Sequence, residues 1–507
     1  MVYNQLRSFR ALLLCVFGFL GLLFIFRLLE LPQNFGGPQR KLPLPRLLDQ
    51  KVVVHYGAVL KPDTPQDPHP SPAKSLEDPD LESLLRGNED EGWAQGPKCA
   101  PYPRFDDIEF PNPSFQRTRH DNLTYYLYGA YYDRRPRRPE LMVLVMVSTW
   151  QGPYPETHLQ VWFEGDTVPE TLELYETKVA WYSDWGTKPG LLYPTLLTFQ
   201  LKSPRIPQLV SLVLGHRCAV PRNALKVHQP PREMPTNPYG LALRTGVCVK
   251  FLRYPDVDMS ERLVEWLELM RLLGVSRVTA YDIGELMANT SRTLAHYTAA
   301  GDGLLDLRRF HLPLESEEHK GFQHIITEVL LYNDCLYRSL YDLDFVAVMD
   351  VDEVIMPLGE LLTWSHLLRQ LQLRDVNCTA RSSYCFRNVY FPRELGEDES
   401  VPSAFYMLRH VVRVAEHLDP DMAIKCLHST GHASVMHNHF ALQWRDACGP
   451  QDVGTDLGQL QHYRHVDNLS TLKEPAPVRD DSIRRFQQQL VRNAVAVHRQ
   501  LGWGAAY

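Results

Sequence analysis

Glycine-rich nucleotide loops are missing from this sequence. No Gly-x-Gly-x-x-Gly opens a helix after a strand-like run, and there is no lysine-bearing phosphate loop. Dinucleotide redox chemistry and P-loop ATP hydrolysis both recede on that ground. Cysteine is scarce, nine in 507 residues, and no two have C-x-x-C spacing, which argues against a structural zinc site. Positive charge is not in excess either. The formal net charge is −7 and no basic stripe carries interleaved aromatics, so nothing points to nucleic acid. What is present is an ordinary globular balance, 44% hydrophobic and 22% charged, on a chain long enough for two or three domains.

One long apolar run stands out. Ala11 to Phe26 is uninterrupted between Arg10 and Arg27, and extends to Leu29 if Arg27 snorkels. No small-x-small cleavage site follows, so the run reads as a signal anchor over 11–29 rather than a cleaved signal peptide. Flanking charge does not orient it: Arg7 and Arg10 precede the run, while Arg27, Arg40, Lys41 and Arg46 follow. Glycosylation sequons do. Asn122, Asn289, Asn377 and Asn468 each begin an Asn-x-Ser/Thr sequence beyond the run. Eight cysteines also lie beyond it (99, 218, 248, 335, 378, 385, 426 and 448), an even number that suits an oxidising compartment, with their pairing left open. The expectation is a single-pass type II membrane protein of the Golgi with residues 1–10 cytoplasmic and the rest lumenal.

Residues 30–98 are rich in Pro, Asp, Glu and Gln and read as a stem. Residues 99–240 carry short strand-like runs, among them Leu141–Val147, Leu159–Phe163, Val179–Tyr182, Leu196–Phe199 and Leu209–Leu214, and predict a small β-rich domain. Beyond Gly240 strands alternate with helices. Val247–Leu252 and Val278–Asp282 flank a helix with Ser260 as N-cap and Gly274 as its stop, and helices over 289–300 and 322–340 follow. Such βαβ units predict a mostly parallel, nucleotide-binding α/β sheet over 241–475, with a C-terminal helical segment over 476–507.

The strand with the most chemistry is Phe345–Met349, apolar throughout and followed by Asp350-Val-Asp352. In an extended chain the two carboxylates would share one side. Carboxylates that share a site repel unless a cation lies between them, and oxygen donors favour Mn²⁺ or Mg²⁺. Strand carboxyl ends are also where α/β sheets bind ligands. A lumenal site of this kind suits a nucleotide-sugar-dependent transferase, in which a metal ion neutralises the departing diphosphate.

Cys248-Val-Lys-Phe-Leu-Arg253, Met270-Arg-Leu-Leu-Gly-Val275, Asn333-Asp-Cys-Leu-Tyr-Arg338, Val348–Pro357 and His462-Tyr-Arg464 together resemble glycosyltransferase family 92 over roughly residues 245–470. The resemblance implies a GT-A fold, Mn²⁺, and inverting transfer of galactose in β-1,4 linkage from UDP-galactose to a glycan acceptor, an N-glycan above all. It implies Asp350 and Asp352 as the metal-binding pair, Asp352 the more direct ligand. Lys250, Arg253, Asp282 and Arg464 would meet the nucleotide. His437 falls where the family has a valine-histidine segment after a lysine, here Lys425, and a neutral imidazole there would complete the metal shell, with His439 and His462 as rivals. Asn333 and Asp334 either line the donor pocket or hydrogen-bond neighbouring loops. Inversion needs a general base, expected as a carboxylate beyond the metal strand; Asp446 and Glu416 are candidates, and the sequence does not identify it. Two other readings compete: a lumenal carbohydrate-binding protein with a decayed site, and a glycosidase drawing its acid pair from Asp350, Asp352 and Glu353, which lie too close together to flank a bond well.

Overall fold

Glu140–Val147 is buried along its whole length, so a strand here needs cover on both faces. The computed structural model of the protein describes residues 79–89, 99–166, 168–229, 243–301, 303–313, 319–466 and 469–503. In it this run is an interior strand of a nine-stranded sheet. Its strands are β1 (Gln116–His120), β2 (Leu123–Asp133), β3 (Glu140–Val147), β4 (Thr157–Trp162), β5 (Glu170–Glu173), β6 (Glu176–Val179), β7 (Tyr193–Gln200), β8 (Leu209–Leu214) and β9 (Leu225–His228). They lie in the order β5-β4-β8-β9-β2-β3-β7-β6, with β1 on β2. Leu141, Val143 and Val145 share a core with Leu159, Val161, Val210 and Leu212, so the sheet closes over on itself. The alternate residues Met142, Leu144 and Met146 belong to a second core, shared with the α/β region.

Within the segment read as a stem, α1 (Pro79–Glu89) docks Leu81 and Leu85 against Trp162 of β4. No described helix is long and apolar enough to cross a membrane. The expected tail, the 11–29 anchor, most of the stem and the Asn468 sequon lie outside the described residues.

The α/β region begins with β10 (Thr245–Tyr254), α2 (Ser260–Leu272), β11 (Val275–Leu286), α3 (Ala288–Ala299), β12 (Leu305–Arg309), α4 (Lys320–Ser339) and β13 (Phe345–Val348). Ser260, expected as the N-cap of α2, is its first residue, and Asp258 accepts its N–H at 3.0 Å. Gly274 ends the helix in the left-handed region (φ 82°), which glycine adopts without a Cβ clash. Strands β12, β11, β10 and β13 are all parallel, as the βαβ pattern requires. Phe345 and Ala347 face the core that holds α2, while Val346 and Val348 face α4.

The expectation of a mostly parallel α/β sheet of the GT-A type is not met. Among the described residues helix content is only 25%, and twelve of the eighteen strand pairings are antiparallel. The chain continues through β14 (Glu353–Pro357), α5 (Trp364–Arg374), β15 (Ser383–Phe386), β16 (Asn388–Tyr390), α6 (Tyr406–Arg409), β17 (Val412–Arg413), β18 (Lys425–Ser429), β19 (Ala433–Met436), β20 (Ala441–Trp444), β21 (Gln451–Asp452), β22 (Gly458–His462), β23 (Val478–Arg479) and α7 (Gln487–Gln500). The seven-stranded sheet runs β12-β11-β10-β13-β18-β15-β21; β18 is antiparallel to both β13 and β15, and only the short edge strand β21 is parallel again, to β15. The physical reason lies in the connections. After β13 the chain turns back into β14 instead of entering a crossover helix, and antiparallel neighbours need none. Cys385 and Cys426, directly opposite each other on β15 and β18, are disulfide-bonded and lock that register.

All eight cysteines beyond the apolar run pair: Cys99–Cys218, Cys248–Cys335, Cys378–Cys448 and Cys385–Cys426. Cys248–Cys335 joins β10 to α4 across 87 residues of chain. Replacing both cysteines with Ser should therefore cost about 2–4 kcal/mol, read as a lower urea midpoint. An unchanged midpoint would show that packing alone holds α4 to the sheet.

Asn333 and Asp334 on α4 are structural. Asn333 donates to Met436 O and accepts from Met436 N, both at 2.9 Å, clamping β19. Asp334 is fully buried and accepts from Tyr131 of the first sheet, Tyr281 (2.6 Å) and Arg338 (2.7 Å). Burial alone would raise its pKa, but Arg338 and Arg308 hold it below the usual carboxylate value. This ionised carboxylate ties the two sheets together.

His428 on β18 is also buried, with Nδ1 2.8 Å from Ser383 Oγ. Burial, aided by the charge on Lys425, pushes its pKa down to about 3, so the folded imidazole is neutral. The unfolded chain takes up that proton below its reference value of about 6.5, so the stability contribution is complete above that pH and is lost as pH falls towards the folded value. His428→Gln should reduce the stability lost between pH 6.5 and 5 by about 1–2 kcal/mol. Identical pH slopes for the variant and the parent would contradict this.

Candidate active site

Met349 N continues the ladder to Cys248 O at 3.2 Å, and there β13 ends. Asp350 to Asp352 form a turn, closed by Glu353 N on Asp350 O at 3.1 Å, so the acidic pair is not extended and its members take different partners. Buried tryptophans brace the turn from below: Trp266 Nε1 donates to Glu353 O at 2.9 Å and Trp364 Nε1 to Ile355 O at 2.8 Å.

Asp350 faces inward. Lys250 Nζ on β10 lies 3.1 Å from its Oδ1 and 4.0 Å from Glu328 Oε1 on α4. Burial would raise the Asp350 pKa, but Lys250 and Lys425 hold it well below the usual carboxylate range. Asp350, helped by Glu328 and opposed by burial, in turn keeps Lys250 charged. Glu328 shifts upward through burial, against the pull of Lys250. Behind the turn, Glu353 Oε2 accepts from Asp350 N at 2.9 Å and meets Lys425 Nζ at 3.2 Å, with the two side chains 3% and 1% exposed.

Asp352 faces outward, 37% exposed, and its Oδ2 lies 3.7 Å from His462 Nε2. The small sheet β14-β22-β16 makes that meeting inevitable: β14 and β22 are antiparallel with Glu353 opposite His462, and Tyr463 N donates to Asp352 O at 2.9 Å. On the other side of the imidazole, Asn388 lies 3.2 Å from Nδ1 and Tyr390 stacks with ring centroids 5.5 Å apart. Asn388 Nδ2 is a donor, so a neutral imidazole accepts on Nδ1 and carries its proton on Nε2, aimed at the Asp352 carboxylate; an ion bound at Nε2 would displace that proton.

The remaining expected residues scatter. Asp282 on β11 is 2.7 Å from Arg309 Nη1, and Arg253 is paired with Glu285, so these groups answer each other at the end of the parallel strands. Arg464 is exposed, its guanidinium 6.0 Å from the centroid of the Tyr390 ring on which His462 stacks. His437 stacks on Trp185 at 4.2 Å, and burial, then His439 and Lys425, drive its pKa well down. His439 is held by Ile424 O at 3.1 Å, and its pKa falls to about 3 through burial and Lys425. Of the histidines weighed as metal ligands, His462 is the one at ion-pair distance from Asp352. Asp446 is exposed in a left-handed turn (φ 49°) after β20. Because Ser429 of β18 pairs with Phe345 at the start of β13, that turn belongs to the opposite edge of the sheet from Asp350. Glu416 is exposed on the segment that runs beside β16.

Reading the sequence missed Glu328 and underrated Glu353. Their signal was present: each is a carboxylate in an otherwise apolar stretch of a buried element, a position tolerated when a cation answers it. The cluster as a whole holds Glu328, Asp350, Asp352 and Glu353 against Lys250 and Lys425, an excess of carboxylates that favours a bound cation. Among the described residues no three His, Cys, Asp or Glu form a cage for an ion. A nucleotide-bridging ion needs fewer, since substrate phosphates supply the rest of its shell, and the Asp352 oxygen, with the His462 nitrogen once Nε2 gives up its proton, suits such an ion.

A carboxylate–lysine cluster under the ends of parallel strands, with an imidazole facing an open Asp, fits a group-transfer enzyme that handles a phosphorylated donor. Residues 244–497 match the model of glycosyltransferase family 92, half of the chain, and the protein belongs to that family of glycosyltransferases. No curated protein matches it.

Proposed function

We propose that this glycosyltransferase moves galactose from UDP-galactose to an N-glycan acceptor, in β-1,4 linkage and with inversion, using Mn²⁺ held by Asp352 and His462. The observation that carries the reading is their meeting at 3.7 Å beside the Lys250–Asp350 pair. Bound there, the ion would offset the charge that builds on the departing diphosphate. The chain's own groups do the rest. Lys250 and Lys425 keep Asp350 ionised, and Glu353 orients it through the Asp350 N–H. Arg464, exposed beside Tyr390, is placed to pair with a phosphate oxygen. The acceptor hydroxyl attacks the anomeric carbon opposite the diphosphate, its oxygen forms the new bond as the carbon–oxygen bond to UDP breaks, and its proton passes to a general base.

The same reading places the enzyme in the Golgi lumen. Four disulfides suit an oxidising compartment. The sequon residues Asn122, Asn289 and Asn377 are all exposed, as glycan attachment requires. The glycosidase alternative gains nothing, because Glu353 is buried against Lys425 and Asp350 is held in an ion pair with Lys250.

The test is a panel of nucleotide sugars offered with N-glycans, product linkage being read by NMR. Galactose transferred from UDP-galactose as a β-anomer is the expected result. Transfer of another sugar, retention of the α configuration, or glycan binding without turnover of any donor would replace this reading.

A further inference from the structure

The loop between β6 and β7 leaves the first sheet and reaches the active-site edge of the second. Residues Val179–Tyr182, expected as a strand, leave the ladder after Val179, and Trp181, Tyr182 and Trp185 form an aromatic cluster instead. The loop is held in shape: Trp150 Nε1 donates to Trp181 O at 2.7 Å, and Trp181 Nε1 to Gly186 O at 2.9 Å. Gly186 (φ 92°) turns beneath Phe322 at the start of α4, and Trp181 packs edge-on against that ring at 5.8 Å. Trp185 then stacks on His437, at the tip of the β19–β20 hairpin. The next residue, Asn438, accepts from Lys425, which pairs with Glu353 behind the acidic turn. Tyr182 forms the outer layer, 4.7 Å from Trp185 between centroids and 43% exposed.

From these contacts we propose that Tyr182 and Trp185 form the acceptor subsite, a platform on which a neutral hexose of the glycan lays its C–H face. This rests on the transferase reading given above. The position favours acceptor over donor. Strand order places β11 and β10 on one side of β13, where the nucleotide would lie, and β18 on the other, with the hairpin tip tied to β18 by Lys425 donating to Asn438. The acidic turn stands between them, as a transfer centre must. A rigid aromatic face contributes stacking at low ordering cost, and a sugar keeps its hydroxyls in water while it stacks. On this account the first sheet is part of the substrate site, because it supplies the loop that recognises the acceptor.

Initial rates against the concentration of free N-glycans, at saturating UDP-galactose and Mn²⁺, test the proposal on the full chain. Tyr182→Ala should raise the acceptor KM by about 5–10-fold, and Tyr182→Phe should restore it. UDP release from UDP-galactose without acceptor should stay within about twofold of the parent for both, a readout that also shows the fold intact. Trp185→Phe, which keeps a ring against His437, should raise the same KM by a smaller factor. An unchanged acceptor KM in Tyr182→Ala would overturn the subsite, as would an equal loss of acceptor-free UDP release. A parent enzyme that releases UDP but transfers nothing to N-glycans would overturn the acceptor class itself, a failure seen before any variant is compared.

Discussion

Asp352→Asn should lower the proposed galactose transfer by about 10³-fold while leaving thermal unfolding unchanged within about 0.5 kcal/mol. The two halves of that expectation come from one geometry. The Asp352 carboxylate is 37% exposed, and its one ion-pair contact among the described residues is the His462 imidazole, so the fold loses little when its charge is removed. Its backbone carbonyl, which does hold the turn through Tyr463 N, is untouched by the substitution. The reaction loses much more, because a neutral amide is a poor ligand for the ion that would balance the leaving diphosphate. Asp446→Asn is the matching control, an exposed carboxylate at the opposite edge of the sheet, and should leave the rate within about twofold. Rates for both variants at saturating donor, beside calorimetric melts, decide the point. Equal losses in the two, or a destabilised Asp352→Asn, would remove Asp352 from the centre of the account.

Lys425→Met should destabilise the protein by about 3–5 kcal/mol. Lys425 and Glu353 are almost wholly buried and face each other at 3.2 Å. Burial already raises the Glu353 pKa, and Lys425 is the main force opposing that shift. Without the ammonium, Glu353 must stay as an unpaired buried anion close to Asp350 or take up a proton, and either outcome costs stability. Glu353→Gln keeps an acceptor for the Asp350 N–H and removes the orphaned charge. The double variant Lys425→Met, Glu353→Gln should therefore be more stable than Lys425→Met alone, a coupling that urea denaturation of all four proteins measures. A double variant no more stable than the single one would mean that Lys425 acts through Asn438 and the hairpin rather than through Glu353.

Much of the centre could be read from sequence because its strands are purely apolar. Phe345–Val348 and Val247–Val249 announce burial on both faces, and the intervening helices force those strands parallel. The other half of the sheet was illegible. Strands β15 and β18 have four and five residues and bury Ser383, Lys425, His428 and Ser429, polar groups whose partners are distant in sequence. No periodicity marks such strands, since their burial depends on ion pairs and a disulfide. The same limit applies to the site. Asp350 and Asp352 could be found because they follow the apolar strand directly. The separation of their roles could not, because it depends on a turn that sends one to Lys250 and the other to His462. Local resemblance favoured His437 as a metal ligand, whereas cross-strand pairing of β14 with β22 puts His462 beside the acidic pair. Trp181 and Tyr182 read as the end of a strand by composition, and tertiary contacts with α4 and the β19–β20 hairpin draw them away from the sheet.

The most direct test of the central claim is the position of manganese. Crystals of the protein grown with UDP and Mn²⁺, measured at the manganese absorption edge, should show one anomalous peak within bonding distance of Asp352 Oδ2 and His462 Nε2, with the UDP diphosphate completing its shell. An ion bound by His437 or His439 with Asp352 and His462 left facing solvent, or UDP bound at the acidic turn with no ion between them, would contradict the account.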